Sequence, residues 1–223
     1  MQARAQADDE QLEASRDTYA RSAELNAASP VVHFEHGQVL AKLEEVDAAV
    51  AAFDRAAALE DVDGRSAFAA AETLHSAGRV DEAVERLREM VIAYPFHGTA
   101  ALLLVKIARD QGRLEEDESY VLARQANRYH MHAGPEAHLE FGALALGRDE
   151  FENASEAYGL AVAKAYDVPN ARYGRARALA GLNRNAEAIA DLEAVLASEE
   201  FSAPVEASAL LETLRAKVGE GQS

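Results

Sequence analysis

Val46–Ala57, VDAAVAAFDRAA, is echoed 34 residues later by Val80–Val91, VDEAVERLREMV. The pattern returns at Phe151–Val162, FENASEAYGLAV, and at Asn185–Leu196, NAEAIADLEAVL. Aligned, a small residue recurs at Ala49, Ala83, Ala154 and Ala188. Four residues on comes a large one, Phe53, Leu87, Tyr158 or Leu192, and three further on Ala56, Met90, Ala161 or Val195. Steps of four and three put all of these on one face of a helix.

A second signature lies upstream of each copy. His36-Gly37 precedes Leu40, Ala70-Ala71 precedes Leu74, Phe141-Gly142 precedes Ala145, and Arg175-Ala176 precedes Leu179. Each repeat therefore reads as a helix, a short turn and a second helix. The turns are polar or carry glycine: Leu43-Glu-Glu, Ser76-Ala-Gly78, Gln111-Gly112-Arg113, Gly147-Arg-Asp and Leu182-Asn-Arg184. All five prolines, at 30, 95, 135, 169 and 204, fall at junctions between repeats. Proline in a helix interior costs roughly 3 kcal/mol, so this placement supports the same division. Repeats starting at Pro30, Gly64, Gly98, Pro135 and Pro169, with the end segment at Ala203, step by 34 residues except for one step of 37.

This period, with small and large residues in these places, resembles the tetratricopeptide repeat family over residues 30–202. The resemblance implies an all-α solenoid of helix-turn-helix repeats wound into a right-handed superhelix. The expected organisation is an N-terminal helix, incomplete repeat or cap over 1–29 and five repeats over 30–203 (30–63, 64–97, 98–134, 135–168 and 169–202). A capping helix and frayed tail complete it over 204–223. Residues 9–26 read as the second helix of an earlier repeat, with Tyr19 at its large position. The third repeat departs from the pattern. Its second helix has no small residue in register, Tyr120 and Ala123 serve as its packing positions, and three extra residues follow. The position where the family carries an early tryptophan holds His33, Ala67, Ala101, His138 and Arg172. The family's terminal proline survives only as Pro95. Decay, a hinge and a specialised contact all remain open as readings of the third repeat.

Composition narrows the function. The net charge of −17 opposes binding to a phosphate backbone, where affinity comes from Lys and Arg, so no nucleic-acid partner is expected. The same charge disfavours an anionic membrane surface. Without cysteine there is no disulfide, thiolate nucleophile or Cys-type zinc site. The first residues, MQARAQADDEQLEAS, lack the apolar core of a secretory signal, and the longest apolar run, Ala100–Val105, is too short to span a bilayer. A cytoplasmic setting is the expectation, with no direct membrane insertion.

No catalytic constellation stands out. There is no GxxxxGK[ST], no GxGxxG in a strand–helix context and no GxSxG. His33 and His36 lie one turn apart at packing positions without a third ligand; His130, His132 and His138 cluster near a turn, and His138 is also a packing position. The carboxylate runs Glu44-Glu45, Glu115–Glu118 and Glu199-Glu200 read as solvated turns and ends, not as an acid/base pair in a cleft. The expectation is a non-enzymatic chain without cofactor or metal.

What the resemblance implies instead is a concave wall made by the first helix of each repeat, which in this family commonly grips a peptide or a partner's helix. The fifth residue of each repeat gives Phe34, Phe68, Leu102, Leu139 and Tyr173; the ninth gives Gln38, Glu72, Lys106, Ala143 and Arg177; Arg109 follows in the third. The expected ligand is a protein segment with apolar side chains and a carboxylate near Lys106, Arg109 or Arg177. The plainer reading is that large fifth residues are a family preference and cations must fall somewhere. A variant groove that holds a chaperone's C-terminal carboxylates uses Lys and Asn where this chain has Phe34 and Gln38, so that specificity is not implied. The alternative function is self-assembly into homo-oligomers through the groove or the end caps.

Overall fold

A computed structural model of the chain describes residues 2–112, 114–198 and 201–220. Among the described residues all regular structure is helical. In chain order the helices are α1 (Gln2–Leu25), α2 (Pro30–Lys42), α3 (Val46–Leu59), α4 (Arg65–Ser76) and α5 (Val80–Ala93). Next come α6 (Gly98–Gln111), α7 (Glu116–Arg128), α8 (His130–Ala133) and α9 (Glu136–Gly147). The last are α10 (Phe151–Ala163), α11 (Val168–Gly181), α12 (Asn185–Leu196) and α13 (Pro204–Glu220). The expected pairs α2–α3, α4–α5, α9–α10 and α11–α12 pack together, α1 lies on α2 and α13 on α12, and the third repeat holds α6 and α7. The short α8 takes up the extra residues of the third repeat and has no counterpart in the others. No described helix is long and apolar enough to cross a membrane.

The chain divides into two compact bodies, Met1–Ile107 and Ala108–Ser223, and the division falls inside α6. Pro30 and Pro204 open α2 and α13, Pro169 lies in the first turn of α11, Pro135 precedes α9, and Pro95 sits between α5 and α6. None meets the carbonyl of a preceding turn, which is why the helices run unbroken between them.

Each first helix ends on a residue with left-handed backbone: Glu44, Gly78, Gly112, Asp149 and Asn183. In four of the turns the next amide reaches back to a helix carbonyl, Glu45 to Leu40, Arg79 to Leu74, Glu150 to Ala145 and Arg184 to Leu179, at 2.9–3.0 Å. That 6→1 bond is the Schellman closure, which satisfies a carbonyl the helix would otherwise leave open. The same turns carry ion pairs between successive repeats: Arg79 meets Asp47 as well as Glu82, and Arg148 meets Asp117.

In the first body, Phe34, Leu40, Ala49, Ala52, Phe53, Ala56 and Ala70 form a core cluster. Phe53 lies so close to α2 that a Cβ on Gly37 would stand 2.7 Å from its ring. Gly64 combines a φ of 76° with a Tyr94 ring 2.9 Å from where its Cβ would be, so both backbone and space demand glycine. Asp61 then starts α4 by accepting from the Ser66 and Ala67 amides at 3.0 and 3.1 Å.

In the second body, Tyr120 and Ala123 are both buried, as expected of the packing positions in α7, and the Tyr120 ring lies 5.5 Å from Phe141 of α9. Tyr158 of α10 fits between Gly142 of α9 and Gly174 of α11. At the C-terminal end Ala207, Leu211 and Leu214 of α13 close over Leu179, Leu192 and Val195. That closure buries the face the last repeat would otherwise leave open.

Candidate functional site

The residues expected to line the first-helix wall fall into three classes of exposure. Phe34 and Leu102 are buried in the first body, at 9% and 5% exposure. Phe34 packs against the Phe53 ring at 5.5 Å, and the Arg65 guanidinium covers its outer face at 4.3 Å. Phe68, Lys106, Leu139 and Tyr173 are half-buried, and Gln38, Glu72, Arg109 and Arg177 are exposed. The Phe68 ring lies 5.0 Å from that of His97. Glu72 borders a cleft of about 640 Å³ with Ala41, Lys42, Val46 and Thr73.

In the second body the cations differ in how they are held. Arg109 donates from Nη1 to both carboxylate oxygens of Glu140, at 2.8 and 2.7 Å, and its Nε lies 3.6 Å from Asp110. Glu140 is largely covered, so Arg109 is tethered to α9. Arg177 is exposed and makes no ion pair among the described residues; its guanidinium lies 5.9 Å from the Tyr173 ring, one turn earlier on α11. Tyr173 packs edge-on against Phe201 at 5.3 Å and leans on the C-terminal cluster, which fixes the ring beneath the cation. The two present a firm apolar plate with a positive charge beside it.

A second polar feature escaped the sequence reading. Asp191 of α12 is buried, and Arg175 of α11 donates to its two oxygens from Nε and Nη2, each at 2.6 Å. Arg172 adds a longer contact at 3.5 Å. These residues line a cleft of about 580 Å³ with Ser155, Glu156, Arg184 and Glu187, in which Arg184 is already engaged by Glu187 at 2.7 Å. The available signal was an aspartate three residues after Ala188 and directly before Leu192, on a face the repeat reserves for packing.

The histidines divide similarly. His33 Nε2 lies 3.1 Å from the Ala27 carbonyl, and burial lowers the pKa of His36, with His33 acting in the same direction. His138 is fully buried, with Nδ1 2.6 Å from Asn127 Oδ1 and its ring 4.7 Å from that of His130. The side chain of His132 and the residues Glu199 and Glu200 lie outside the described set. Among the described residues no group of three or more histidines and carboxylates is placed to hold a metal ion. Of the other carboxylates, Glu45 is paired with Arg16 at 3.0 Å, while Glu116, Asp117 and Glu118 occupy the first turn of α7, where the helix dipole favours them.

A sequence profile described as tetratricopeptide repeat matches residues 34–96, 68–129 and 139–203. No curated protein sequence matches the chain at significance. Among solved structures the chain is similar to YrrB, described as "a TPR protein with an unusual peptide-binding site". That match has a TM-score of 0.59 and 15% identity, covering 80% of this chain and 90% of that one. The MamA protein gives a TM-score of 0.55 at 16% identity, covering 75% and 90%. A tetratricopeptide repeat protein from Parabacteroides merdae gives 0.54 at 16% identity, covering 97% and 82%. At these identities the likeness is one of fold.

Proposed function

We propose that this chain, which belongs to the tetratricopeptide repeat family, is a non-enzymatic scaffold that holds a protein segment against the first helices of its repeats. Tetratricopeptide repeats generally serve protein–protein contact, and this is the coarse assignment the family supports. The finer reading is a segment with apolar side chains and a carboxylate.

The observation that carries it is the Tyr173–Arg177 pair on α11. Arg177 is an exposed guanidinium without an ion-pair partner among the described residues, on a molecule of net charge −17. The general field repels an acidic ligand, so a carboxylate bound here must be recognised locally, by a fork geometry that suits it. The half-buried Tyr173 ring offers an apolar surface at little entropic cost, since its packing on Phe201 already restricts it. Leu139 on α9 extends the apolar part of this body, and Arg109 adds a second charge that a ligand carboxylate reaches only in competition with Glu140. In the first body Gln38, Phe68, Glu72 and Lys106 contribute the corresponding surface, whereas Phe34 and Leu102 support it from beneath. YrrB, of the same fold, is described by a peptide-binding site, which agrees with this use of the scaffold.

The experiment is a pull-down from lysate with mass spectrometry, comparing the wild type with Arg177→Glu and with the triple change Lys106→Glu, Arg109→Glu and Arg177→Glu. Arg55→Glu, an exposed change on α3, is the control. Specific partners are expected to be lost with Arg177→Glu and kept with Arg55→Glu. A partner set that survives the triple change rejects the cationic role. Light scattering over a range of concentrations separates partner binding from self-assembly.

A further inference from the structure

We infer that the corner joining α7, α8 and α9 is an acid-sensitive latch: its closed packing admits His138 only as the neutral imidazole, so acidification opens it. The inference concerns the fold and does not rest on the reading of the partner.

The corner is the irregular part of the third repeat, Tyr129-His-Met-His-Ala-Gly-Pro-Glu-Ala-His138. The chain leaves α7 at Arg128, makes the single turn of α8, passes Gly134 at a φ of 77°, and enters α9. His138 lies in the first turn of α9 with no exposed surface. Its Nδ1 donates to Asn127 Oδ1 of α7 at 2.6 Å, which leaves the lone pair on Nε2. Nε2 is itself buried and meets no hydrogen-bond partner among the described residues. A lone pair tolerates that position; a charged N–H there is both desolvated and unsatisfied.

The surroundings point the same way. Among the described residues, the charged and titratable groups on the elements packed against α9 that act on His138 are His130 of α8 and Lys164, directly after α10, and no carboxylate is among them. His130 is held in place, its ring 4.7 Å from that of His138 and its Nδ1 3.1 Å from the Asn127 carbonyl. Burial first, then His130 and Lys164, push His138 below the ordinary histidine value of 6.5. A histidine depressed in the closed state contributes its full stability above the ordinary value. It loses that stability as pH falls below 6.5 towards the closed-state value, because only the open corner takes up the proton. In that window the opening constant rises by about tenfold per pH unit. Opening also disturbs α9 beside Glu140, the carboxylate that holds Arg109.

The test is amide hydrogen exchange on the full chain between pH 7.5 and 5.0, corrected for the intrinsic rate at each pH. Amides of residues 127–140 are expected to open roughly tenfold or more as the pH falls, by the linkage above, while those of α12 and α13 change little. His138→Gln, which keeps a neutral amide beside Asn127, is expected to flatten the response. No acceleration in the wild type, or equal acceleration in His138→Gln, overturns the inference. Histidine-detected NMR of the wild type keeps the test decisive if the variant does not fold. There, His138 is expected to stay neutral with its proton on Nδ1 for as long as the corner is protected. Titration of His138 in the ordinary range while residues 127–140 stay protected overturns it.

Discussion

Gly174 of α11 faces the Tyr158 ring of α10 so closely that a Cβ on the glycine would lie 2.5 Å from Cε1 and 2.6 Å from Cε2. A Cβ on Gly142 of α9 would stand 3.2 Å from the same ring. Tyr158 thus fills a slot cut by two glycines from successive repeats. In the first body Phe53 enters the equivalent space beside Gly37. Helices come this close only where a side chain is absent on one of them, and the large residue opposite restores interior density.

The alanines that begin each second helix follow the same logic. Ala83 and Ala154 have no exposed surface, whereas Glu85 points to solvent. Ala83→Leu or Ala154→Leu is expected to cost about 1–3 kcal/mol through overpacking, and Glu85→Gln less than about 0.5 kcal/mol. Thermal melts followed by circular dichroism check the contrast.

Glu44 holds the left-handed position at the end of α2 with a φ of 59°, where the matching turn after α4 has Gly78 at 76°. A Cβ in this region costs of order 1–2 kcal/mol, partly offset by the roughly 0.5–1 kcal/mol of extra unfolded-state freedom that glycine brings. Glu44→Gly is therefore expected to raise the melting temperature, by a free energy of up to about 1 kcal/mol. Asp149→Gly and Asn183→Gly should gain less, since these side chains tolerate the conformation.

Asp191 is the buried member of its pair with Arg175. Removing it by Asp191→Ala strands a guanidinium that is 28% exposed. The expected loss is about 2 kcal/mol, below the roughly 3–5 kcal/mol of a fully buried pair, because water still reaches the arginine. Replacing both, Arg175→Met with Asp191→Leu, should recover most of the loss in urea unfolding.

Alkaline pH acts through Tyr158. Burial pushes its phenol from 10.0 up to about 12. The stability from keeping it neutral is complete below pH 10.0 and declines as the pH rises from there to about 12. Tyr158→Phe should remove that part of the alkaline decline, on the order of 2 kcal/mol. Melts at pH 8, 10 and 11 capture roughly the first half of it.

Much of this fold was legible because it is periodic. Spacing fixes which residues share a helix face, so Ala49, Ala83, Ala154 and Ala188 and the large residues opposite them could be placed from the sequence, as could Tyr120 and Ala123 in the irregular repeat. Depth is another matter. Phe34 and Tyr173 occupy the same place in their repeats, yet Phe34 is buried beneath Arg65, a residue of the following repeat, while Tyr173 stays half open. Whether a neighbour reaches over a given ring depends on side chains some 30 positions away, which the period does not encode. The Asp191–Arg175 pair was hidden for a related reason: both residues stand at packing positions, and only their meeting reveals them. The α8 turn arose from three inserted residues whose path has no template in the other repeats.

The claim that absent side chains set the pitch of the stack is tested most directly by one comparison of unfolding free energies. Gly174→Ala and Gly147→Ala are the same chemical change, both in helices, but a Cβ at Gly147 meets nothing within 4 Å. Gly147→Ala is expected to be neutral or stabilising by up to about 1 kcal/mol, and Gly174→Ala to destabilise by about 1–3 kcal/mol. Equal effects at the two sites would contradict the account.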